Sequence, residues 1–260
     1  MRFKITLRIN RKYGDNLPYN YQYEQSAVIY RILAQADKQY SSWLHENGYS
    51  INGTKRFKLF SFSPFIFDRT RSIPKVGCLN LIGEYAIWYI SFIPEKSTAE
   101  FIQGVFAHKQ FTIGNKDFKV AFDIVGVEAI PTPTLTNETT FQALSPICVK
   151  LHEGEKTRYL TPEDTLFAKG LLTGLISRYE SIYRKLLNAD TSNFGFTMIG
   201  NKMKSKLVTI KAGTPQETKV RGYLCDFKLN APIELMQIAY DGGIGEQCSQ
   251  GFGFIRKKKV

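Results

Sequence analysis

"GGIGEQCSQGFGF", residues 242–254, crowds five glycines and two phenylalanines into the end of a 260-residue chain. Glycine lets backbone N–H groups approach an anion closely, so a dinucleotide-binding turn is the first reading to test. Such a turn joins a strand to a helix and needs an acidic residue roughly 20 positions further on to hold a ribose. Too little chain follows Phe254, and Cys248 stands where the third glycine of that motif belongs. The dinucleotide reading fails, and the segment has to be explained by the elements that precede it.

Those elements come in a repeated order. "RFKITLRI" (2–9) alternates polar and apolar residues as a strand does, and "SAVIYRILAQA" (26–36) has helical spacing through Ile29, Ile32 and Leu33. Asp37 suits an N-cap and Gly48 a stop, which predicts a second, short helix over 37–48. "FKLFSF" (57–62) and "YAIWYISFI" (85–93) read as strands, 97–107 as a helix and 118–130 as a strand. "PTPTLTNETT" (131–140) reads as a linker. The order then restarts with a strand in 141–151. Thr161 as cap and Pro162 at the first turn open a long helix with an apolar stripe of Leu166, Leu171, Leu175, Tyr179, Ile182 and Leu186. Strands in 193–211 and 218–229, a helix over 232–240, the glycine segment and a last strand at 251–257 complete it. Each half reads β-α-β-β-α-β, which predicts an α+β chain of two tandem ferredoxin-like (RRM-like) domains, 1–131 and 132–260. The glycine segment is expected along the cleft between them. Phe252 and Phe254, two apart, are expected on one face of the last strand.

The chain carries 35 Lys and Arg against 23 Asp and Glu, a net charge of +12, which points to a polyanionic partner, nucleic acid above all. The charge is clustered. Residues 55–75 carry Lys55, Arg56, Lys58, Arg69, Arg71 and Lys75 against Asp68 alone; residues 202–221 carry Lys202, Lys204, Lys206, Lys211, Lys219 and Arg221 against Glu217 alone. Alternating lysines on a hairpin also protect a sheet edge from mispairing, so both readings stand for the second group. The longest apolar run is too short to span a bilayer and the N-terminus lacks the apolar core of a signal peptide, so a cytoplasmic protein without membrane contact is expected. Cys78, Cys148, Cys225 and Cys248 are scattered without a C-x-x-C pair, which predicts neither a metal site nor a disulfide framework, and no cofactor is expected.

The pattern G-x-G-x5-G-x-G, here Gly243, Gly245, Gly251 and Gly253, closing a tandem ferredoxin-like chain, resembles the RAMP superfamily of CRISPR-associated proteins. "MRFKI" (1–5), "PYNYQYEQSAVIY" (18–30), "WLHENG" (43–48) and "FKLFSFSPF" (57–65) are similar to its archaeal-type endoribonuclease branch, which cuts CRISPR repeat RNA. In that branch a tyrosine on the first helix, a histidine ending the second and a lysine at the next strand do the chemistry. The matching positions are Tyr30, His45 and Lys58. The resemblance implies metal-independent cleavage of precursor crRNA within each repeat by 2′-OH attack, leaving a 5′-hydroxyl and a 2′,3′-cyclic phosphate or 3′-phosphate. It implies repeat RNA and other CRISPR effector subunits as partners of a monomer or homodimer. The alternative is a non-catalytic RNA-binding subunit of a CRISPR ribonucleoprotein. RNA contacts are expected from Lys55, Arg56, the six basic residues of 202–221 and the four glycines.

The residue types suit the task. Internal attack needs the nucleophile held in line, one proton removed, another supplied and negative charge stabilised. Histidine is the side chain that exchanges protons near neutrality, a tyrosine hydroxyl can position or accept, and a lysine is a point charge for phosphate. Each also has a plainer reading: Tyr30 as a boundary aromatic, His45 as complement to a helix dipole, Lys58 as part of a solvated basic edge.

Overall fold

The computed structural model describes residues 1–50, 55–154 and 156–258, so the last two residues of the expected second domain lie outside the described residues. The first half contains β1 (Arg2–Asn10), β2 (Asn16–Pro18), α1 (Gln22–Ala36), α2 (Lys38–Glu46), β3 (Phe60–Phe62), β4 (Ile66–Phe67), β5 (Thr70–Ile73), β6 (Cys78–Leu81), β7 (Tyr85–Phe92), α3 (Glu95–Ala107), β8 (Gln110–Gly114) and β9 (Lys119–Ile130). β1 pairs antiparallel with β7 on one side and β9 on the other, giving the order β3-β7-β1-β9-β8. Alternation along β1 buries Phe3, Ile5, Leu7 and Ile9, and α1 covers them with Val28, Ile29, Ile32 and Leu33. Each such side chain contributes about 1.5–3 kcal/mol by leaving water, which is why the alternation in the sequence decides which face is inside. β2, β6 and β5 form a separate small sheet that carries Arg71.

The second half contains β10 (Glu138–Ala143), β11 (Lys150–Glu153), β12 (Lys156–Tyr159), α4 (Thr165–Tyr183), β13 (Gly195–Met198), β14 (Lys204–Ile210), β15 (Thr218–Leu224), β16 (Asp226–Asn230), α5 (Ile233–Gly242) and β17 (Ile255–Lys257). Its sheet runs β13-β16-β10-β17, the same antiparallel topology as β3-β7-β1-β9, while β11–β12 and β14–β15 stand off as hairpins. Two tandem ferredoxin-like domains follow, each with its own core. Among the described residues no helix is long and apolar enough to cross a membrane.

Three local expectations are corrected. Helix α4 is capped by Asp164, whose side chain accepts from Leu166 N at 2.9 Å, and not by Thr161. The stripe ends early, since Leu186 lies beyond the helix and is 79% exposed, and Arg178 occupies the buried face at 4% exposure. Phe252 and Phe254 precede β17 and diverge: Phe252 packs with Val208 and Val220, whereas Phe254 stacks on Tyr89. Gly253 between them has φ +67°, and that left-handed residue breaks the alternation.

The glycine segment links the domains. The Arg178 guanidinium donates to Gly243 O at 2.7 Å and to Gly245 O, and Ser26 Oγ on α1 donates to Ser249 O at 2.7 Å. From the other side Arg2 donates to Ile255 O at 2.7 Å and to Tyr240 O, with its guanidinium 3.7 Å from the Tyr240 ring centroid. Gly243, Gly245, Gly251 and Gly253 are buried and let neighbouring elements approach the segment closely, and Gly245 also lines a cavity. A Cβ on Gly253 would lie 2.0 Å from Ile244 O, and one on Gly251 would lie 2.9 Å from Gln22 Cβ.

Gly77 shares the left-handed conformation, φ +69°, but a Cβ there would meet nothing within 4 Å. Gly77→Ala is therefore expected to cost about 1 kcal/mol, for backbone strain alone, and Gly253→Ala about 3 kcal/mol or more, for strain plus overlap. Urea denaturation midpoints of the two variants check the difference.

Candidate active site

Helix α1 presents Tyr23, Ser26, Ala27 and Tyr30 at helical spacing along one side, facing the interdomain groove. α2 follows at once. Asp37 caps it by accepting from Tyr40 N at 2.8 Å, and Ser41 Oγ donates to Tyr30 O at 2.8 Å, which fixes the second helix against the first. His45 falls in the last turn of α2, where its ring meets Tyr30 edge to face with centroids 5.0 Å apart. Gly48, φ +66°, then turns the chain back and leaves room for Lys58 to cross it; a Cβ there would be 3.1 Å from Lys58 Cδ. Lys58 Nζ donates to His45 O at 2.6 Å, and Arg56 donates to Glu46 O at 3.0 Å. Both cations thus sit on the negative end of α2. Leu59, φ 57°, shortens the expected strand at 57–62 to β3.

Tyr30, His45 and Lys58 line one cavity of about 240 Å³ together with Ser26 and, from the second domain, Ser249 and Gln250. Burial raises the Tyr30 phenol well above its ordinary value, so it remains protonated at neutral pH. Desolvation, assisted by the charge of Arg56, lowers the Lys58 amine. The cavity therefore holds an exposed imidazole, a neutral hydroxyl and an amine, a set able to supply a proton, orient a hydroxyl and meet an anion.

The basic residues are distributed by strand geometry. Lys55 and Arg56 are exposed beside this cavity. On the β14–β15 hairpin, Lys204 and Lys206 lie on the face that also carries buried Val208 and Ile210, and burial lowers the Lys206 amine. Lys219 and Arg221 lie on the opposite face, where Arg221 donates to Ser205 Oγ at 2.9 Å. Lys202 is exposed ahead of β14, and Lys211 is tied to Gln216 in the turn. Sequence reasoning missed Ser26, Ser249 and Gln250 as cavity walls and Arg178 as the anchor. The arginine had a signal: it continues the 171, 175, 178 stripe of α4, where an unpaired charge does not belong.

A double ferredoxin-like chain closed by this glycine segment is a protein of the RAMP class. Family models tile it: "CRISPR-associated protein Cas6, N-terminal" over residues 16–122 and "CRISPR associated protein Cas6, C-terminal" over residues 130–257. The chain belongs to the Cas6 family. It is 28% identical over 256 residues to the CRISPR-associated endoribonuclease Cas6 1 of Methanocaldococcus jannaschii, covering 97% of this chain and 91% of that one. It is 25% identical over 258 residues to the CRISPR-associated endoribonuclease Cas6 of Pyrococcus furiosus, covering 98% and 89%. The solved structure of a Cas6-related protein from Pyrococcus furiosus superposes with a TM-score of 0.82 at 24% identity, over 100% of this chain and 98% of that one, a likeness of fold.

The tyrosines give a test of the site's electrostatics. Burial is the chief cause raising the phenols of Tyr21, Tyr30 and Tyr40. Unfolded tyrosines ionise near ~10. The neutral phenols therefore contribute stability that is complete below that pH and is lost as pH rises above it toward the folded values. In an ultraviolet alkaline titration these three are expected to ionise only with unfolding. Tyr30→Phe should remove one phenolate from the unfolding step and none from the native step.

Proposed function

We propose that this chain is a metal-independent endoribonuclease that binds CRISPR repeat RNA and cuts within the repeat. One observation carries the reading: Tyr30, His45 and Lys58, separate in sequence, converge on a single cavity that opens on the interdomain groove beside cationic side chains. The endoribonuclease names of full-length relatives supply the substrate class. The N-terminal domain, 1–131, supplies the chemistry, and the C-terminal domain, 132–260, supplies the groove's second wall and the basic hairpin.

The 2′-oxygen attacks the adjacent phosphorus as the bond to the 5′-oxygen breaks. Tyr30 Oη, neutral by burial, orients the 2′-hydroxyl by a hydrogen bond, and the hydroxyl's proton passes to water. His45 donates a proton to the departing 5′-oxygen. Lys58 exchanges its bond with His45 O for a phosphate oxygen and offsets the charge that builds on the phosphorane. The products are a 2′,3′-cyclic phosphate and a 5′-hydroxyl. No step requires a bound cation, so cleavage in EDTA is expected to proceed.

His45→Ala is expected to slow single-turnover cleavage of labelled repeat RNA by about 10²-fold or more with little change in affinity. RNA carrying 2′-deoxyribose at the cut should bind and stay intact. Equal losses of binding and cleavage would make His45 structural, and a wild type that binds without cutting would make the chain a binding subunit.

Lys204 and Lys206 are read as partners of the RNA backbone. Replacing both with alanine should weaken binding at moderate salt and flatten the slope of log K against log salt by roughly 0.7 for each phosphate that is no longer neutralised. Cleavage at saturating protein should stay near normal. An unchanged slope would leave the hairpin as a solvated edge.

A further inference from the structure

Beside the cavity of Tyr30 and His45 lies another of about 310 Å³, and Lys58, Ser249 and Gln250 line both. Lys55, Arg56 and Phe57 form one wall, the glycine segment another, and α4 supplies the third through Gly170 and Gly174. These two glycines, one helical turn apart, have different reasons to be bare. A Cβ on Gly170 would lie 2.5 Å from Val149 Cγ1, so packing requires its absence. Among the described residues a Cβ on Gly174 would meet nothing within 4 Å, and the residue is ordinary mid-helix backbone. Glycine in a helix interior weakens the helix, and no packing among the described residues calls for it there. Its effect is to keep the cavity open.

The remaining walls suit one kind of occupant. Phe57 is half-buried and offers a ring; Lys55 and Arg56 are exposed cations next to it. Among the described residues no protein group hydrogen-bonds the side-chain amides of Gln247 and Gln250, so each still offers a donor and an acceptor to the cavity. A flat ring with a hydrogen-bonding edge, attached to phosphates, matches all three features.

We propose that this cavity takes the base of the nucleotide next to the scissile phosphate, stacked on Phe57 and read by Gln247 and Gln250, with Lys55 and Arg56 on the flanking phosphates. The proposal rests on the cleavage assigned above to the Tyr30–His45 cavity. The base is seated there before the cut, so the pocket fixes which phosphate reaches His45.

Filling the cavity from Gly174 tests this without touching the chemistry. Gly174→Ala is the folding control and should melt at or slightly above the wild-type temperature. Single-turnover cleavage is measured for wild type and Gly174→Leu on intact repeat RNA and on RNAs abasic at the nucleotide on either side of the cut. Wild type should lose about tenfold on one of the abasic RNAs. Gly174→Leu should lose about tenfold on intact RNA and nothing further on that abasic RNA. Phe57→Leu should follow the same pattern and serves as the test if Gly174→Leu melts early. Wild-type cleavage of intact RNA by Gly174→Leu, or losses that simply add, overturns the pocket while leaving the nuclease in place. A wild type that does not cut repeat RNA at all overturns both.

Discussion

The buried guanidinium of Arg178 is the interaction on which the rest of the site depends. The glycine segment doubles back so tightly that carbonyls of Gly243 and Gly245 point inward, away from any ladder, and an unpaired buried carbonyl is costly. A planar fork of donors satisfies both at once, which a lysine could not do with the same geometry. Once that turn is held, Ser249 and Gln250 project toward α1 and complete a cavity whose other groups belong to the first domain. Arg2 makes the reciprocal bond, reaching from the first strand of one domain to carbonyls of the other. Arg178 holds the segment within the second domain, and Arg2 ties the first domain to it.

The domains divide the work unequally. The first carries Tyr30 and His45 on two consecutive helices, where Ser41 bonded to Tyr30 O sets their mutual angle. The second lends its backbone turn and its long helix as walls, and lysines of its hairpin as charge. Arg56 and Lys58 each spend a bond on a terminal carbonyl of α2. That arrangement holds them where an arriving phosphate would compete only with a carbonyl.

Much of this was legible in the sequence. Alternation in residues 2–9, helical spacing in 26–36 and the Asp37 cap are local signals with local causes, and the repeated β-α-β-β-α-β order carried the topology of both sheets. The misses were non-local. Asp164, which also pairs with Arg158 at 2.8 Å, caps the helix in place of Thr161. Leu59 and Gly253 take left-handed conformations that shorten strands, which no periodicity announces. For the site, Tyr30, His45 and Lys58 came from likeness to a family, and their meeting in one cavity needed the fold. The four glycines of the segment are buried, because the same freedom that admits an anion also admits a close neighbour.

The bond from Ser26 to Ser249 spans 223 residues of chain. Domains generally fold as units, the N-terminal one first during synthesis. Tyr30, His45 and Lys58 all belong to the part of the chain made first, and Ser249 and Gln250 to the part made last. The cavity closes only after the second domain has folded and its glycine turn has found Arg178. A nascent or truncated chain therefore presents Tyr30, His45 and Lys58 without the second wall of their cavity.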